Sequence, residues 1–470
     1  MRMLRTTLAG VLTALFVVPI TLLSGAAPAL ADTSQFKGVN WARLGDNFDT
    51  GPLVPQGLNL TDDYKTVQAK SDAMLTAFAS LGANTVRLPL NPASVGTAWW
   101  DSYTAAIDTA TAKGFKVVLS YWEEGARGGK IADLTTWNRM WDTVVAKYLP
   151  NARVYFDPMN EPHGYSGTEW TDLAARWIGD RPSVPKNRII VSGIGFDWDI
   201  QTLCHDSRFD GTYLAYHHYS WDPDVQNLTT YDAWVADFKA RMGNCASRTI
   251  LEEFGATMDS GLDYNDRTST DREVLYLRAY TDTARALNMG AIYWAGIGGR
   301  YLADDGVGGY ETLNVQRLFG SGTNVPLWTP NTTGLDRLQY AWGTGSGSGT
   351  TTLRNGSDCL DVPRGTHDDV QVIAYACHGG ANQQWTRTAA GQITVYNGEK
   401  CLDVYGQGTT NGTTVGTYSC NGGANQKWTF YTDGTIRGAQ SGLCLDVDRG
   451  SGSLVLWSCS GGANQKWRLA

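Results

Sequence analysis

Residues 103–122 read YTAAIDTATAKGFKVVLSYW and decide the architecture of the first part of the chain. Tyr103 to Lys113 sets its apolar positions on one helical face and is stopped by Gly114. Lys116 to Trp122, rich in β-branched and aromatic side chains, then reads as a strand. The unit before it repeats the order: Asp72 to Leu81 aligns Met74, Leu75, Phe78 and Leu81, Gly82 ends the helix, and Asn84 to Leu90 is a strand. Further strands are predicted over Phe36 to Trp41, Arg153 to Asn160, Arg188 to Ile194, Thr212 to Tyr219, Arg248 to Phe254 and Ala291 to Ala295. Eight strands alternating with helices over residues 32–343 predict an α/β fold, a closed (β/α)8 barrel. A doubly wound sheet has fewer strands and a glycine-rich first turn. Chemistry on such a barrel sits at the C-terminal ends of its strands.

Outward from the barrel, the composition breaks at Gly343-Thr344-Gly345-Ser346-Gly347-Ser348-Gly349, which reads as a flexible linker over residues 344–350. Residues 351–470 then repeat. Cys359-Leu360-Asp361-Val362 recurs from Cys401 and from Cys444, and Asn382-Gln383-Gln384-Trp385 recurs from Asn425 and from Asn464. Three units too small to fold alone must pack together, with the Trp of each as shared core. Within each copy the second cysteine is expected to pair with the first: Cys359 with Cys377, Cys401 with Cys420, Cys444 with Cys459. Cys204 and Cys245, on either side of strand six, are expected to form the one disulfide of the barrel.

Residues 1–31 combine Arg2 and Arg5, an apolar run from Leu8 to Leu23 and the sequence Ala29-Leu30-Ala31, the pattern of a cleaved signal peptide. A single membrane anchor is the competing reading. Secretion agrees with an even number of cysteines, eight, none in a CxxC zinc spacing. No later stretch is apolar enough to span a membrane. The 38 basic and 46 acidic residues give a net charge of −8, and loss of the leader makes the chain more acidic, so nucleic acid is not an expected partner. Eighteen Trp and 22 Tyr against 12 Phe favour rings with a flat apolar face and a polar handle, suited to sugars. A phosphate-loop look-alike at Gly125-Ala126-Arg127-Gly128-Gly129-Lys130 fails in its spacing and has Ile131 where Ser or Thr is required. No nucleotide, metal or other cofactor is expected, and the protein is expected to be a monomer.

Two strand ends carry carboxylates. Strand four runs into Asp157-Pro158-Met159-Asn160-Glu161-Pro162, and strand seven ends Glu252-Glu253-Phe254-Gly255. Cleaving a glycosidic bond takes one carboxylic acid to protonate the leaving oxygen and one carboxylate to act at the anomeric carbon. Glu161 needs a raised pKa to be that acid, and Asn160 is placed for a sugar hydroxyl. Alternation along a strand lets one of Glu252 and Glu253 face inward, and Glu253 is chosen; Glu252 is expected in the helix layer. Alone, Asn-Glu-Pro reads as a turn after a strand; the second acid changes that. His217 and Tyr219 point to the site and His218 away from it, so the two histidines cannot share a metal. Arg87 either ionises Glu253 or forms a structural salt bridge. Trp294, with Trp41, Trp122, Trp198 and Trp221 at other strand ends, suggests stacking platforms.

On these residues the catalytic region resembles glycoside hydrolase family 5, the cellulase-like retaining enzymes. The resemblance implies that Glu161 of Asn160-Glu161-Pro162 is the acid/base and that Glu253 of Glu253-Phe254-Gly255 is the nucleophile. It also implies that Arg87, His217, Tyr219 and Trp294 bind substrate. A histidine common at the end of strand three in that family is here Trp122, which enters the expected substrate site. Residues 351–470 resemble a ricin B-type β-trefoil, carbohydrate-binding module family 13. That implies sugar-binding sets Asp361, Tyr375, Asn382 and Gln383; Asp403, Tyr418, Asn425 and Gln426; and Asp446, Trp457, Asn464 and Gln465. A glutamine usual four positions before the second cysteine is replaced by Ile373, Gly416 and Val455. The other reading is that the Asp and Asn-Gln residues only satisfy turns.

The expected partner is a polysaccharide, first a β-1,4-glucan by resemblance. Chitosan is an alternative because Glu123, Glu124, Asp197, Asp199, Asp222 and Asp224 are expected near the mouth, where negative charge attracts a polycation. Xylan, mannan and galactan stay open, and a lectin-like protein that binds without cutting is the alternative of another class.

Overall fold

The computed structural model describes residues 32–122, 128–299, 301–302, 309–310, 312–318, 326–344, 350–388, 391–396, 398–431 and 433–469. The leader, residues 345–349 of the linker, and Glu123 and Glu124 lie outside the described residues.

Strands β1 (Lys37–Leu44), β2 (Thr85–Leu90), β3 (Lys116–Tyr121), β4 (Val154–Asp157), β5 (Ile190–Ser192), β6 (Tyr213–His217), β7 (Thr249–Glu253) and β8 (Gly290–Gly299) form one parallel sheet in the order 4-3-2-1-8-7-6-5. A parallel bridge from Phe156 to Ile189 brings the two edges together and closes the barrel. Both faces of these strands are covered, as parallel sheets require, so their apolar runs are nearly continuous. Helices α1 (Tyr64–Ser80), α2 (Ala98–Ala112), α3 (Leu134–Tyr148), α4 (Gly167–Asp180), α5 (Tyr231–Met242), α6 (Arg272–Ala286) and α7 (Thr332–Ala341) surround them. The helices start earlier than their apolar faces suggest. Asp63 caps α1 by accepting from the Thr66 amide at 2.8 Å, so an exposed polar turn precedes the buried stripe.

The barrel interior is layered. Phe36, Val118, Tyr155, Ile190, Tyr213, Ala215, Ile250 and Ile292 make an apolar floor, with Phe36 edge-on to Tyr155 and Tyr213 at 5.0 and 5.2 Å. Two residues further along their strands, the same inward positions are Ser120, Asp157, Ser192, His217 and Glu252, all buried. The period of two thus converts an apolar floor into a polar layer at the C-terminal mouth.

The C-terminal part holds the threefold repeat. Trp385, Trp428 and Trp467 are buried and donate from Nε1 to the carbonyls of Leu360, Leu402 and Leu445 at 2.9, 3.0 and 2.9 Å. The three short-range cysteine pairs are bonded, with Cα separations of 5.1, 5.0 and 5.2 Å, and Cys204 is bonded to Cys245 at 6.1 Å. Trefoil sheets follow the barrel, and strand Pro326–Trp328 pairs antiparallel with Trp428–Tyr431. No helix among the described residues is long and apolar enough to cross a membrane.

Candidate active site

Arg87 is the hub of the polar layer. Its Nη2 donates to Ser120 Oγ at 3.0 Å, to Asp157 Oδ2 at 2.7 Å and to Asn160 Oδ1 at 2.9 Å. Nη1 donates to Asn40 Oδ1 at 3.2 Å and to Glu253 Oε1, and Nε lies 3.5 Å from Glu252 Oε2. Burial opposes the arginine's charge, but Glu252, Asp157 and Glu253 more than restore it. Asn160 is held with its oxygen toward Arg87, which leaves its buried Nδ2 without a partner among the described residues. An unpaired buried donor at a cleft is a place for a ligand oxygen.

Glu161 stands at the end of β4 in a left-handed conformation, φ 46°. Such strain in a residue other than glycine is kept where the surroundings over-determine it, commonly at functional sites. His217 Nδ1 lies 3.1 Å from Glu161 Oε1 and 3.7 Å from Glu253 Oε2. One atom each of Glu161, His217 and Glu253 fall within 4.8 Å of one another. Tyr219 donates to Glu253 Oε2 at 3.1 Å. Burial pushes the Glu253 carboxyl up to about 7, against the opposing charges of His217 and Arg87. Burial would lower His217, yet Glu253, Asp197, Glu161 and Glu252 carry it well above the usual histidine value. Carboxylates this close suit direct attack by one of them rather than the wider separation, roughly 6.5–9.5 Å, that inversion through a water uses.

The structure thus brings together Arg87, Asn160, Glu161, His217, Tyr219 and Glu253. Trp122 and Trp294 stack on each other at 5.3 Å and 28°, next to Phe48, and Arg87 sits 5.7 Å over Trp122. Both indoles are nearly covered. Gly255 is required where it stands, since a Cβ there would lie 2.3 Å from the Trp294 carbonyl oxygen. His218 faces outward as expected, accepting or donating at Nδ1 with Tyr280 Oη at 3.0 Å.

Several expectations are corrected. Glu252 is not in the helix layer. Alternation from Ile250 turns it inward, and the β6–β7 register slips by one residue, from Tyr216 opposite Leu251 to His217 opposite Glu253. A bulge lets two successive residues serve one face, so both acids enter the mouth. Trp41 is core: it is fully buried, edge-on to Phe78, and donates to the Gln56 carbonyl at 2.9 Å. Trp198 is half-buried, whereas Trp221 is 48% exposed and stacks on Tyr219 at 4.4 Å. Asp197 is not a mouth acid but is fully buried, 3.1 Å from His217 Nε2, and burial raises its carboxyl well above the usual range. Asp222 and Asp224 lie 3.7 and 3.3 Å from His218 Nε2, and Asp224 also pairs with Arg241 at 2.7 Å. Of the four described acids, only Asp199 stays exposed and without a cation among the described residues.

Sequence reasoning assigned no role to Asn40, Ser120 or Asp157. The signal was present in the inward period, which puts a polar residue two places after each floor residue of β3 and β4.

In the trefoil, Asn382 and Gln383 both donate to Asp361, at 3.0 and 2.7 Å; Asn425 and Gln426 donate to Asp403, both at 2.9 Å. Asn464 and Gln465 donate to Asp446 at 2.8 and 2.6 Å. Gln383, Gln426 and Gln465 are fully buried, and their oxygens accept from the amides of His378, Asn421 and Ser460 at 2.8, 2.8 and 2.7 Å. The glutamines therefore shape the turn and cannot reach a sugar. Tyr375, Tyr418 and Trp457 are 55%, 44% and 47% exposed, one in each lobe. In the second lobe Asp403, Tyr418 and Asn425 line a hollow of about 530 Å³ with Tyr405 and Asn421. In the first, His378 Nε2 stands 3.2 Å from Asp361 Oδ2.

Residues 47–298 match the family described as cellulase, glycosyl hydrolase family 5, and residues 349–467 match the ricin-type β-trefoil lectin domain. Among solved structures, the chain is similar to the catalytic domain of the major endoglucanase from Xanthomonas campestris pv. campestris. The identity is 20% over 66% of this chain and 95% of that one, with a TM-score of 0.46. An endocellulase from Pyrococcus horikoshii in complex with cellotetraose shares 19% identity over 58% of this chain and 88% of that one, TM-score 0.43. A designed threefold symmetric protein, ThreeFoil, shares 34% identity over 26% of this chain and 98% of that one, TM-score 0.24.

Proposed function

The chain belongs to the cellulase family, glycosyl hydrolase family 5, a family of retaining β-glycanases, and from that premise we propose that it is a secreted endo-β-1,4-glucanase held on its polymer by the trefoil. The observation that carries the reading is the Glu161–His217–Glu253 grouping within 4.8 Å, with Arg87 and Tyr219 each donating to one oxygen of Glu253. Glu253 attacks the anomeric carbon while Glu161 gives its proton to the leaving oxygen. Glu161 then takes a proton from water, which releases the sugar from Glu253 with net retention. Arg87 and Tyr219 hold the Glu253 oxygens for attack. Asn160 Nδ2 is the donor for a sugar hydroxyl.

Export of the chain by the leader belongs to the same proposal and is supported by four disulfides, which persist in oxidising compartments. Chitosan has less support than a neutral glucan among the described residues, because Asp197 is buried, Asp222 and Asp224 already face His218 and Arg241, and Asp199 alone stays exposed without a described cation. A panel of cellulose, soluble cellulose ether, xylan, mannan, galactan and chitosan, read by new reducing ends and by viscosity, tests the substrate. The fastest cleavage is expected on the neutral β-1,4-glucan, with viscosity falling ahead of reducing ends and little response to added salt. Preferred, salt-sensitive cleavage of chitosan would overturn the glucan assignment.

Sugar contact by the trefoil is assigned to the exposed rings. Replacing Tyr375, Tyr418 and Trp457 together by Ala is expected to weaken retention on insoluble glucan by on the order of 10²-fold, since three tethered sites act by avidity. Hydrolysis of a soluble substrate should not change. Undiminished sedimentation with the polymer would remove these rings from the site.

A further inference from the structure

The loop leaving β5 holds Asp197 in a left-handed conformation, φ 60°, close to Gly195 at φ 75°. From Ile194 to Asp199 it is closed by backbone: the Ile194 amide donates to the Asp199 carbonyl at 2.9 Å, and the Trp198 amide to the Ile194 carbonyl at 3.1 Å. Gly193 leaves room for this, because a Cβ there would come within 2.9 Å of the Asp197 backbone. Glycine would hold the left-handed position at less cost than aspartate. The loop itself therefore has no use for the Asp197 carboxylate, which is fully buried and has no hydrogen-bond partner on either oxygen among the described residues. A buried carboxylate so placed is costly unless a charge faces it. His217 faces it, with Nε2 3.1 Å from Oδ2.

Charged groups surround His217 from several strands. After β4 comes Glu161, whose Oε1 lies 3.1 Å from Nδ1; β7 adds Glu253, 3.7 Å from Nδ1, and Glu252, 3.7 Å from Nε2. Tyr219 donates to Glu253, and Asp157 of β4 pairs with Arg87 of β2 at 2.7 Å. Arg87 also engages Glu252 and Glu253. On the Nε2 side, then, Glu252 is shared with Arg87, whereas Asp197 faces His217 alone among the described cations. Burial by itself would lower His217, but Glu253, Asp197, Glu161 and Glu252 outweigh it, and the ring keeps its second proton. Burial raises the Asp197 carboxyl; His217 opposes the rise, and Glu161, Asp157 and Glu252 add to it. Both directions retain a proton between Oδ2 and Nε2.

We propose that Asp197 is a positioning residue that keeps His217 doubly protonated, so that Nδ1–H is a standing donor to Oε1 of Glu161. This rests on the reading of Glu161 as acid and assigns a role to a buried side chain outside the reacting groups. Oε1 can accept from Nδ1 whether Glu161 is a carboxylic acid or a carboxylate, and the proton that passes to the leaving oxygen then sits on Oε2. A bare Nδ1 would accept that proton itself and withhold it from the substrate. The device serves the steps in which Glu161 moves a proton and leaves the attack by Glu253 alone.

Asp197→Asn and Asp197→Gly both suit a left-handed backbone. Full-length parent and variants carrying 15N-labelled histidine are titrated by NMR, with His217 identified by its absence from the spectrum of His217→Asn. Both ring nitrogens of His217 are expected to be protonated in the parent near pH 7, and the midpoint in either variant to fall by about 1–3 pH units, the effect of one close opposite charge. On cellohexaose either variant is expected to lose about tenfold in kcat, while the fluoride burst from β-cellobiosyl fluoride, which needs no proton from Glu161, changes by less than about twofold. A bare ring nitrogen in the parent near pH 7, a midpoint unmoved in both variants, or equal losses on the two substrates would overturn the proposal. Failure of the parent protein to cleave either substrate would instead overturn the glucanase reading, and the NMR titration would still decide whether Asp197 sets the charge of His217.

Discussion

Glu253→Gln is expected to lose hydrolysis by on the order of 10⁴- to 10⁶-fold with the fold intact, because the amide can neither attack the anomeric carbon nor leave from it. Glu161→Gln should lose about 10²- to 10⁴-fold on polysaccharide, the usual worth of a positioned acid and base. The two variants differ in what limits them. With a fluoride leaving group the first step of Glu161→Gln needs no proton, so a rapid burst is expected before the slow release of sugar. Glu253→Gln should give no burst. Glu252→Gln is the informative neighbour: its carboxylate lies within 3.5–3.7 Å of Arg87 and His217 but contacts no reacting atom in the assigned mechanism. It should retain a burst. Reducing-end assays and stopped-flow measurement of fluoride release check all three, and full activity in either Glu161→Gln or Glu253→Gln would end the glycosidase assignment.

Arg87→Met is expected to destabilise the barrel by about 3–5 kcal/mol, the cost of breaking buried ion pairs from one side. Asp157, Glu252 and Glu253, at 0%, 0% and 3% exposure, would share no cation on the β2 side, and Asn40, Ser120 and Asn160 would lose a donor. At this size the loss corresponds to a fall in Tm of roughly 10 °C. Its pH dependence has a definite sign. Asp157 and Glu253 are already raised in the fold, by burial first and by neighbouring carboxylates next, and Arg87 opposes that rise. Without Arg87 they rise further, so the folded state binds protons that the unfolded chain has released, and stability falls as pH rises. The variant should therefore approach the parent near pH 4 and diverge most above pH 7. Thermal unfolding followed across that range tests it, and an unchanged Tm at high pH would show that Arg87 does not carry the cluster.

How far the sequence could be read follows from which parts obey simple periods. The eight strands were legible because each is a short apolar run between helical stripes, and the trefoil because its Cys-Leu-Asp-Val and Asn-Gln-x-Trp elements recur three times. Glu161, His217, Tyr219 and Glu253 lay at or just past strand ends, where a barrel collects its reactive groups, whereas Arg87 stands inside β2 and reaches Glu253 with its long side chain. Glu252 was misplaced because a period of two assumes an unbroken ladder, and the one-residue slip opposite His217 is a property of the β6–β7 pairing. Asp197 was misplaced because its inward turn depends on a left-handed backbone that a non-glycine residue does not advertise. Trp41 was read as a strand end like Trp122, yet β1 runs on to Leu44 and Phe78 of α1 covers the ring, a contact between segments far apart in the chain. The buried trefoil glutamines were assigned to sugar because sequence distinguishes residue type, not which side of a turn the side chain occupies.

The assignment of the nucleophile rests on Glu253 rather than its equally buried neighbour at the bulge, and a covalent trap separates them. Incubation with 2-deoxy-2-fluoro-β-cellobiosyl fluoride, then proteolysis and fragment mass spectrometry, should locate the fluorosugar on Glu253. A fluorosugar attached to Glu252 or to Glu161 would contradict the account.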